Sequence, residues 1–310
     1  MRDLQTLVVA TDLSPASAPA LRLAADLARR TGADLHILYA QIVFRMDLGL
    51  KDGPHTLQRV RVETFVAQSL GLSRDALDAM GPTVAVASGT SAQSVILDYA
   101  EASGADLLVV GTHGRTGVGR LLLGSVAEAC VVRAPCAVLT VPSGAMGVAP
   151  GPEAPIIVPI EFSSTSERPL AVARALSAET GAPIELVHVV RTAGPYPDLV
   201  PDYFSVVDYD PEEDARVRQR LEQFGGEAHP RAVHALMGDP SRVIPHFADS
   251  IGAGMVVMGT HGRRGLGRAV LGSVAQATLR RATCPVLTIK AADLAPTTIC
   301  PVGTLPSLLS

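Results

Sequence analysis

A glycine-rich stretch of fifteen residues occurs twice in this chain, at positions 111–125 and 259–273. Each copy follows a short, uncharged, β-branched run, which is typical of a strand buried on both faces of a parallel sheet. Each copy also leads into a helix-like segment that begins at Gly-Ser. A glycine-lined connection that ends at a helix N-terminus presents free backbone N–H groups to an anion. The repeat therefore indicates an α/β fold with two phosphate-type sites.

The charges within the two stretches support a phosphate site. Neither stretch contains Asp or Glu, whereas the first has Arg115 and Arg120 and the second has Arg263, Arg264 and Arg268. The alternative is a tight strand-to-helix connection whose glycines serve only the turn, because a single short glycine motif is a weak signal. Two copies with the same spacing favour the binding interpretation.

The spacing of the glycines carries a family resemblance. Gly111-x2-Gly114-x9-Gly124-Ser125 and Gly259-x2-Gly262-x9-Gly272-Ser273 resemble the ATP-binding signature of the universal stress protein family. The resemblance covers nearly the whole chain, from about Leu7 to Lys290. It implies α/β architecture with two tandem doubly wound (Rossmann-like) domains, each a five-stranded parallel sheet with adenine nucleotide across its carboxyl edge.

The same resemblance implies which residues contact the nucleotide. Asp12, the acidic residue after the first strand, would bind the ribose, as an acidic residue does in dinucleotide folds, and the main chain of Ala40 would meet the adenine. Val110, Gly111, His113, Gly114, Gly124, Ser125 and Val126 would surround the phosphates and ribose, largely through main chain. Their counterparts in the second half are Glu161, Val189, Met258, Gly259, His261, Gly262, Gly272, Ser273 and Val274.

Some of these residues have structural alternatives. Asp12 would instead be a partner of a helix cap, and Ser125 and Ser273 would cap the helices that follow them. For His113 and His261 a hydrogen-bonding or structural role is favoured over a zinc site, since no carboxylate or cysteine is close in sequence. We therefore predict ATP, with Mg²⁺, as the ligand, and neither a protein metal site nor a catalytic residue.

The repeat offset predicts how the 310 residues are divided. Equivalent residues are 149 positions apart at Asp12 and Glu161 (161 − 12) and 148 apart at the glycine stretches (259 − 111). We predict a first domain at 1–143, a linker at 144–154, a second domain at 155–290 and a C-terminal tail at 291–310. In the family the last strands of paired domains meet. This predicts an intrachain pseudo-dimer in which 137–141 pairs with 286–290, and leaves a further homodimer open.

Local signals predict the ends of individual elements. Ser14-Pro15 predicts the start of a helix and Gly32 its end. Residues 41–58 are predicted to be irregular and 59–79 to form one helix. Ser164-x-x-Glu167 predicts a capping box at the start of the equivalent helix in the second half.

Composition excludes several function classes. The net charge of −4 gives no reason for a nucleic-acid partner. The only lysines, Lys51 and Lys290, do not follow a glycine, which excludes a Walker-type P-loop. The four cysteines form neither a C-x-x-C pair nor a metal-ligand spacing. Cys136 and Cys284 precede the last strands at equivalent positions, so they are interpreted as packing residues. Since no segment has the apolar length of a membrane span and the N-terminus lacks signal-peptide form, the sequence predicts a cytoplasmic protein without membrane contact.

Three function classes remain. We favour an ATP-binding stress-response or signalling module in which nucleotide occupancy changes shape or partners, with slow or no turnover. The second is a slow ATP-hydrolysing enzyme, although the two loops contain no carboxylate to position water or a metal. The third is a nucleotide-free dimeric scaffold, as in relatives that lack the glycine signature. We also predict tighter binding in the first domain, because Glu161 replaces Asp and the connection 196–214 carries seven acidic residues.

Overall fold

The computed structural model describes residues 4–43, 53–112, 123–191, 211–260 and 271–290. The first half contains β1 (Thr6–Thr11), α1 (Ala18–Thr31), β2 (Asp34–Ile42), α2 (Gly53–Leu70), α3 (Arg74–Met80), β3 (Thr83–Gly89), α4 (Ala92–Ala102), β4 (Leu107–Gly111), α5 (Ser125–Arg133) and β5 (Ala137–Val141). The second half contains β6 (Ile156–Pro159), α6 (Glu167–Thr180), β7 (Ile184–Val190), α7 (Pro211–Gly225), β8 (Ala232–Met237), α8 (Pro240–Ser250), β9 (Met255–Gly259), α9 (Ser273–Arg281) and β10 (Val286–Ile289).

The strands form one continuous ten-stranded sheet in the order β3-β2-β1-β4-β5-β10-β9-β6-β7-β8. Within each half all neighbouring strands are parallel, because each strand is followed by a helix that returns the chain to the same starting edge. The predicted α/β fold with two tandem doubly wound halves is confirmed. The two five-stranded sheets are joined edge to edge, so that both hydrophobic core clusters run through the whole molecule.

The last strands of the two halves pair with each other, as predicted. β5 and β10 are antiparallel, and Leu139, at the centre of the contact, lies opposite Leu287. These two leucines are repeat equivalents, since 287 − 139 equals the offset of 148. Thr140 Oγ1 donates to the carbonyl oxygen of Val286 at 3.2 Å, and Thr288 Oγ1 donates to that of Val138 at 3.0 Å. This reciprocal pattern is what a twofold relation between the halves requires.

A second contact across the same junction joins repeat equivalents on the helices. Gln276 Nε2 of α9 donates to Glu128 Oε1 of α5 at 3.2 Å, and 276 − 128 is again 148. Lys290 donates from its Nζ to the carbonyl oxygen of Ala134. The junction therefore combines strand pairing, buried hydroxyl bonds and polar contacts between helices.

The antiparallel junction determines where the functional edges lie. The strands of the first half run opposite to those of the second, because β5 and β10 are antiparallel while each is parallel to its own half. In a doubly wound fold, ligands bind outside the carboxyl ends of the strands. The carboxyl ends of the strands in the two halves therefore point in opposite directions. The two candidate sites lie at these opposite ends of the strands.

The connection between the halves is packed against the first half. Ala149 is buried, and its backbone N–H donates to Asp26 Oδ2 of α1 at 3.1 Å. Gly147 has a positive φ of 74°, and a Cβ at this position would lie 2.9 Å from the carbonyl oxygen of Pro19. A glycine is therefore needed at position 147 for both its backbone conformation and its close approach to α1.

Several predicted element ends are wrong. Residues 59–79 form two helices, α2 and α3, and α2 begins at Gly53 within the segment predicted to be irregular. Gly71 (φ 65°) separates them, and Ser73 Oγ caps α3 by accepting from the Ala76 N–H at 3.2 Å. Leu57 and Val60 of α2 are exposed. The apolar residues of α2 therefore do not form the single periodic stripe by which a helix is located in a sequence.

The starts of α1 and α6 are also later than predicted. A 3-10 turn over Pro15–Ser17 precedes α1, and Ser14 makes no side-chain cap bond. A matching turn over Ser164–Ser166 precedes α6, so Glu167 is the first residue of that helix rather than the third. The predicted capping box depends on the side chain of Ser164, which lies outside the described part of the structure. The end of α1 is confirmed, because Gly32 adopts the left-handed conformation with φ 71°.

Candidate functional site

The first candidate site lies where the strand order reverses, between β1 and β4. Ala10 pairs with Val110 at the end of the β1–β4 ladder. The chain leaves β1 through Asp12 and leaves β4 through Gly111, so the acidic residue and the glycine stretch begin side by side. The central strands are buried on both faces, which fixes this edge rigidly. The structure thus brings together Asp12, Val110 and Gly111 as predicted.

Asp12 is held in place by the turn that follows it. Its Oδ1 accepts hydrogen bonds from the Ser14 N–H at 3.0 Å and from Ser14 Oγ at 2.6 Å. Leu13 has a positive φ of 62°, and its N–H donates to Thr11 Oγ1 at 3.1 Å. A local structural role for Asp12 is therefore real, and it fixes one carboxylate oxygen at the carboxyl end of β1.

The glycine stretch starts and ends at one point. The Gly124 N–H donates to the carbonyl oxygen of Thr112 at 2.9 Å, which closes the eleven-residue connection between them (113–123). Thr112 is buried, and its own N–H donates to the carbonyl oxygen of Val141 on β5 at 3.0 Å. Residues 113–122 of this connection, which include the predicted site residues His113 and Gly114, lie outside the described residues.

The helix that follows the first glycine stretch begins at the site. Gly124 is the N-cap of α5 (φ −61°, ψ 144°) and has no side-chain cap bond, so the prediction that Ser125 caps the helix is wrong. Ser125 is the first helical residue and is exposed, with Val126 next to it. The first N–H groups of a helix have no partner within the helix. Their dipoles add to a positive end at the carboxyl edge of the sheet.

The end of β2 provides an unpaired main-chain edge. β1 ends at Thr11, opposite Tyr39, whereas β2 continues to Ile42 and pairs only with β3 over its last three residues. Ala40, opposite Ala87 on β3, lies in this overhang. Where a strand extends beyond its neighbour, its backbone N–H and C=O groups can hydrogen-bond to a planar partner that has acceptors and donors along one edge. The position predicted to meet a base is therefore next to the position predicted to meet its ribose.

The second half repeats this arrangement, with the same closing distance at the glycine stretch. The Gly272 N–H donates to the carbonyl oxygen of Thr260 at 2.9 Å, and the Thr260 N–H donates to that of Ile289 at 3.1 Å. Gly272 is the N-cap of α9, without a side-chain cap bond. The other predicted residues that share this edge are Met258 and Gly259 at the end of β9, Ser273 and Val274 at the start of α9, and Val189 in β7. His261 and Gly262 lie in the part of the chain that the structure leaves undescribed.

Glu161 differs from Asp12 in its partners. Its Oε1 accepts from both Ser163 Oγ and Thr165 Oγ1, each at 2.9 Å. The position equivalent to Thr165 is Ala16 in the first half, which has no hydroxyl (165 − 149). The longer Glu161 carboxylate is therefore folded back over its own turn by two hydroxyls, whereas Asp12 accepts from the N–H and the hydroxyl of Ser14.

The second site has a further structural difference at β6. The β6–β9 ladder has two residue pairs, Ile156 with Met255 and Ile157 with Val256, whereas the β1–β4 ladder has four. β6 ends in Pro159, which has no N–H for a ladder bond. The crevice between the two central strands therefore opens earlier in the second half than in the first.

Sequence reasoning did not find the aromatic cluster beside Glu161. Phe162 has a positive φ of 57°, and its ring centroid lies 4.6 Å from that of His188 on β7. Arg220 of α7 places its Cζ 4.1 Å from the Phe162 ring centroid, a cation–π contact. No periodicity joins positions 162, 188 and 220. The acidic connection 196–214 lies outside the described residues up to position 210.

Three of the cysteines lie in the part of the chain that the structure describes. Cys130, Cys136 and Cys284 are buried thiols that form no disulfide, and burial raises the pKa of Cys130 and of Cys284 to about 12. The interpretation of Cys136 and Cys284 as packing residues is confirmed by their burial. Among the described residues, no three His, Cys, Asp or Glu side chains are grouped to hold a metal ion. None of the helices in the described ranges combines the length and apolar character that crossing a bilayer requires.

Comparison with known proteins agrees with the geometry. Two solved structures share the whole architecture: a protein of Pseudomonas aeruginosa UCBPP-PA14 (TM-score 0.66, 17 % identity, 94 % of each chain covered) and a universal stress protein from Archaeoglobus fulgidus (TM-score 0.63, 23 % identity, 93 % of this chain and 97 % of the other). At these identities the likeness concerns the fold alone.

Sequence comparison adds the family. A universal stress protein of Mycobacterium tuberculosis strain H37Rv is 34 % identical over 188 residues, which are 59 % of this chain and 61 % of the relative. The match thus spans less than two thirds of the relative's length. The sequence model of the family described as "Universal stress protein family" matches the chain twice, at residues 4–142 and 154–290. The chain belongs to the universal stress protein family, with two family domains in tandem.

Proposed function

We propose that the protein is an adenine-nucleotide-binding stress-response or signalling module with one ATP site at the carboxyl edge of each half. One observation carries the proposal. In both halves a glycine connection closes through a backbone hydrogen bond of 2.9 Å at a helix N-terminus, next to a strand end that bears a carboxylate. The domain boundaries that we propose remain 1–143 and 155–290, with 144–154 as the linker and 291–310 as a tail.

Each part of the nucleotide has a chemical counterpart in the site. The first N–H groups of α5, from Ser125 and Val126, and the positive end of that helix would bind a phosphate. Asp12 would accept hydrogen bonds from the ribose hydroxyls, because its Oδ1 is oriented by Ser14 at the end of β1. The overhanging main chain of β2 at Ala40 would meet the base. The same roles fall to Ser273, Val274, Glu161 and Val189 in the second half.

The site favours binding over hydrolysis. A general base or a metal-holding carboxylate would be needed to activate water near the terminal phosphate. We expect Mg²⁺ to enter with the triphosphate, since Mg²⁺ is usually held through substrate phosphates and one or two carboxylates. Slow or absent turnover therefore remains our prediction. A rate near the enzyme median of about 10 per second would instead favour the ATP-hydrolysing alternative.

The most direct test is to identify the ligand that purified protein carries. Protein is purified under native conditions and denatured, and the released small molecules are identified by mass. We expect an adenine nucleotide to be released, at up to about two equivalents per chain. Protein that releases none, and that binds none when ATP and Mg²⁺ are added, would favour the nucleotide-free scaffold. A homodimer and a cytoplasmic location remain predictions.

A further inference from the structure

The β2 overhang contains a polar atom without a partner. Gln41 directly follows Ala40, and its Oε1 is buried with no hydrogen-bond partner in the described part of the chain. Buried side-chain oxygens in folded proteins are nearly always hydrogen-bonded, so an exception indicates either strain or a missing partner. The carboxamide oxygen of Gln41 can therefore accept a hydrogen bond that the described residues do not supply.

The position of Gln41 relates this atom to the proposed nucleotide. Gln41 pairs with Ser88 of β3, two residues beyond the point where β1 ends opposite Tyr39. Side chains alternate along a strand, so Gln41 lies on the same face of the sheet as Tyr39. Tyr39 packs against the same core cluster as Leu13, the residue after Asp12. Gln41 is thus on the face from which the turn bearing Asp12 departs.

The second half lacks this acceptor. Val190 is the repeat equivalent of Gln41 (41 + 149), and it pairs with Met237 as Gln41 pairs with the equivalent Ser88. A valine at the same register offers no hydrogen bond. The two sites therefore differ in polarity beside the position expected for the base.

We infer that Gln41 determines the base specificity of the first site by accepting a hydrogen bond from the exocyclic amine of adenine. The inference rests on the proposed function and makes it more specific. A glutamine oxygen accepts from the amine at position 6 of adenine, as in direct readout of adenine by glutamine. Hypoxanthine and guanine have a carbonyl oxygen at that position, which would face Gln41 Oε1 as a second acceptor. The first site therefore selects adenine, and the second site, with Val190, discriminates less.

The test compares ATP with inosine triphosphate (ITP), which differs at position 6 of the base, an oxygen replacing the amine, and in the N1 protonation that follows. Both nucleotides are titrated calorimetrically into the full chain with Mg²⁺, for the wild type, Gln41→Met and the matched control Val190→Met. We expect the first site of the wild type to bind ATP about tenfold more tightly than ITP, the effect of one hydrogen bond and an acceptor left unpaired. Gln41→Met should remove most of this difference by weakening ATP, whereas Val190→Met should leave both ATP/ITP ratios unchanged.

A second readout separates specificity from structure. Without nucleotide, Gln41→Met should unfold at the same temperature as the wild type or higher, because it removes an unpaired buried acceptor without shortening the side chain. Intact ATP binding with an unchanged ATP/ITP ratio in Gln41→Met would overturn this inference alone. So would a preference for ITP that Gln41→Met abolishes, since the carboxamide would then present its NH₂ group. A wild type that binds neither nucleotide at the first site would overturn the proposed function as well.

Discussion

Asp12 and Glu161 are equivalent residues that their surroundings treat differently. Asp12 Oδ1 accepts from the N–H and the hydroxyl of Ser14, whereas Glu161 Oε1 accepts from the hydroxyls of Ser163 and Thr165. Each of the two oxygens therefore accepts two bonds from its own turn, but from donors of different kinds. At the scale of single residues, the two halves are therefore alike in position and different in chemistry.

Another carboxylate, Asp26, fixes the connection between the halves. Its Oδ2 accepts from the Ala149 N–H at 3.1 Å, and it forms ion pairs with Arg29 and Arg30. Partial burial opposes ionisation of Asp26, but the hydrogen bond from Ala149 and those from the two arginines outweigh it and lower the pKa of Asp26 below its ordinary value. The group therefore stabilises the folded state in its charged form.

We predict that Asp26→Ala lowers the free energy of unfolding by about 1 kcal/mol at pH 7, the contribution of a typical hydrogen bond. A depressed pKa in the folded state gives stability that is present above the unfolded pKa of about 3.9 and is lost as the pH falls through the folded pKa. Urea unfolding of wild type and variant at pH 7, 5 and 3 measures this. The difference should hold at pH 7 and 5 and shrink at pH 3, and an equal difference at all three values would contradict the assignment.

At the scale of elements, the closure between β4 and α5 explains the glycine at position 124. Its φ of −61° is available to any residue, so conformational freedom is not the reason. A Cβ on Gly124 would lie 3.0 Å from the carbonyl oxygen of Thr112, the oxygen that accepts the Gly124 N–H. The glycine is needed because the backbone of the helix start approaches the end of β4 so closely.

We predict that Gly124→Ala weakens ATP binding at the first site and also costs about 1 to 3 kcal/mol of stability, the usual effect of overpacking. Valine at this position would cost more, because it is larger, and would disturb the fold of the first half. Gly144→Ala is the matched control, because a Cβ there meets no atom within 4 Å. Thermal unfolding and ATP titration of both variants check this. Equal stability of Gly124→Ala and Gly144→Ala would show that the closure tolerates a side chain.

The elements also show what the sequence could predict and why the rest escaped it. The buried strands and the glycine spacing were predictable, because a strand such as Leu107–Gly111 is apolar throughout and the glycines mark a close backbone approach. The start of α1 was not, because a 3-10 turn over Pro15–Ser17 separates Ser14 from the helix. The position of the unpaired Gln41 Oε1 could not be predicted either, because it depends on β2 extending beyond the end of β1. The relative lengths of two paired strands cannot be read from a local sequence pattern.

At the scale of the whole molecule, the junction of β5 and β10 makes two family domains into one sheet. The buried hydroxyls of Thr140 and Thr288 donate to opposite strands at 3.2 and 3.0 Å. Because the two threonines are repeat equivalents about the Leu139–Leu287 pair, their surroundings are nearly the same. We therefore expect equivalent substitutions at Thr140 and Thr288 to have the same effect on stability, although the two positions are distant in sequence.

We predict that Thr140→Val and Thr288→Val each lower the free energy of unfolding by about 1 kcal/mol, the value of one hydrogen bond, and by equal amounts within error. Unfolding of the wild type should be a single transition, because the two core clusters are shared by both halves. Urea unfolding of the two single variants and the double variant gives the comparison. Costs that differ several-fold between the two sites would argue against a twofold relation at the junction.

The central claim is that the chain binds adenine nucleotide at two sites on opposite edges of the sheet, and that the first site is the tighter. Calorimetric titration of nucleotide-free full-length protein with ATP at fixed Mg²⁺, using wild type, Asp12→Asn and Glu161→Gln, tests it most directly. The wild type should show two unequal sites, with Asp12→Asn losing the tighter one and Glu161→Gln the weaker. Both variants keep an acceptor for the local hydroxyls and should stay folded. Absence of binding in the wild type, or equal affinities that neither substitution changes, would contradict the account.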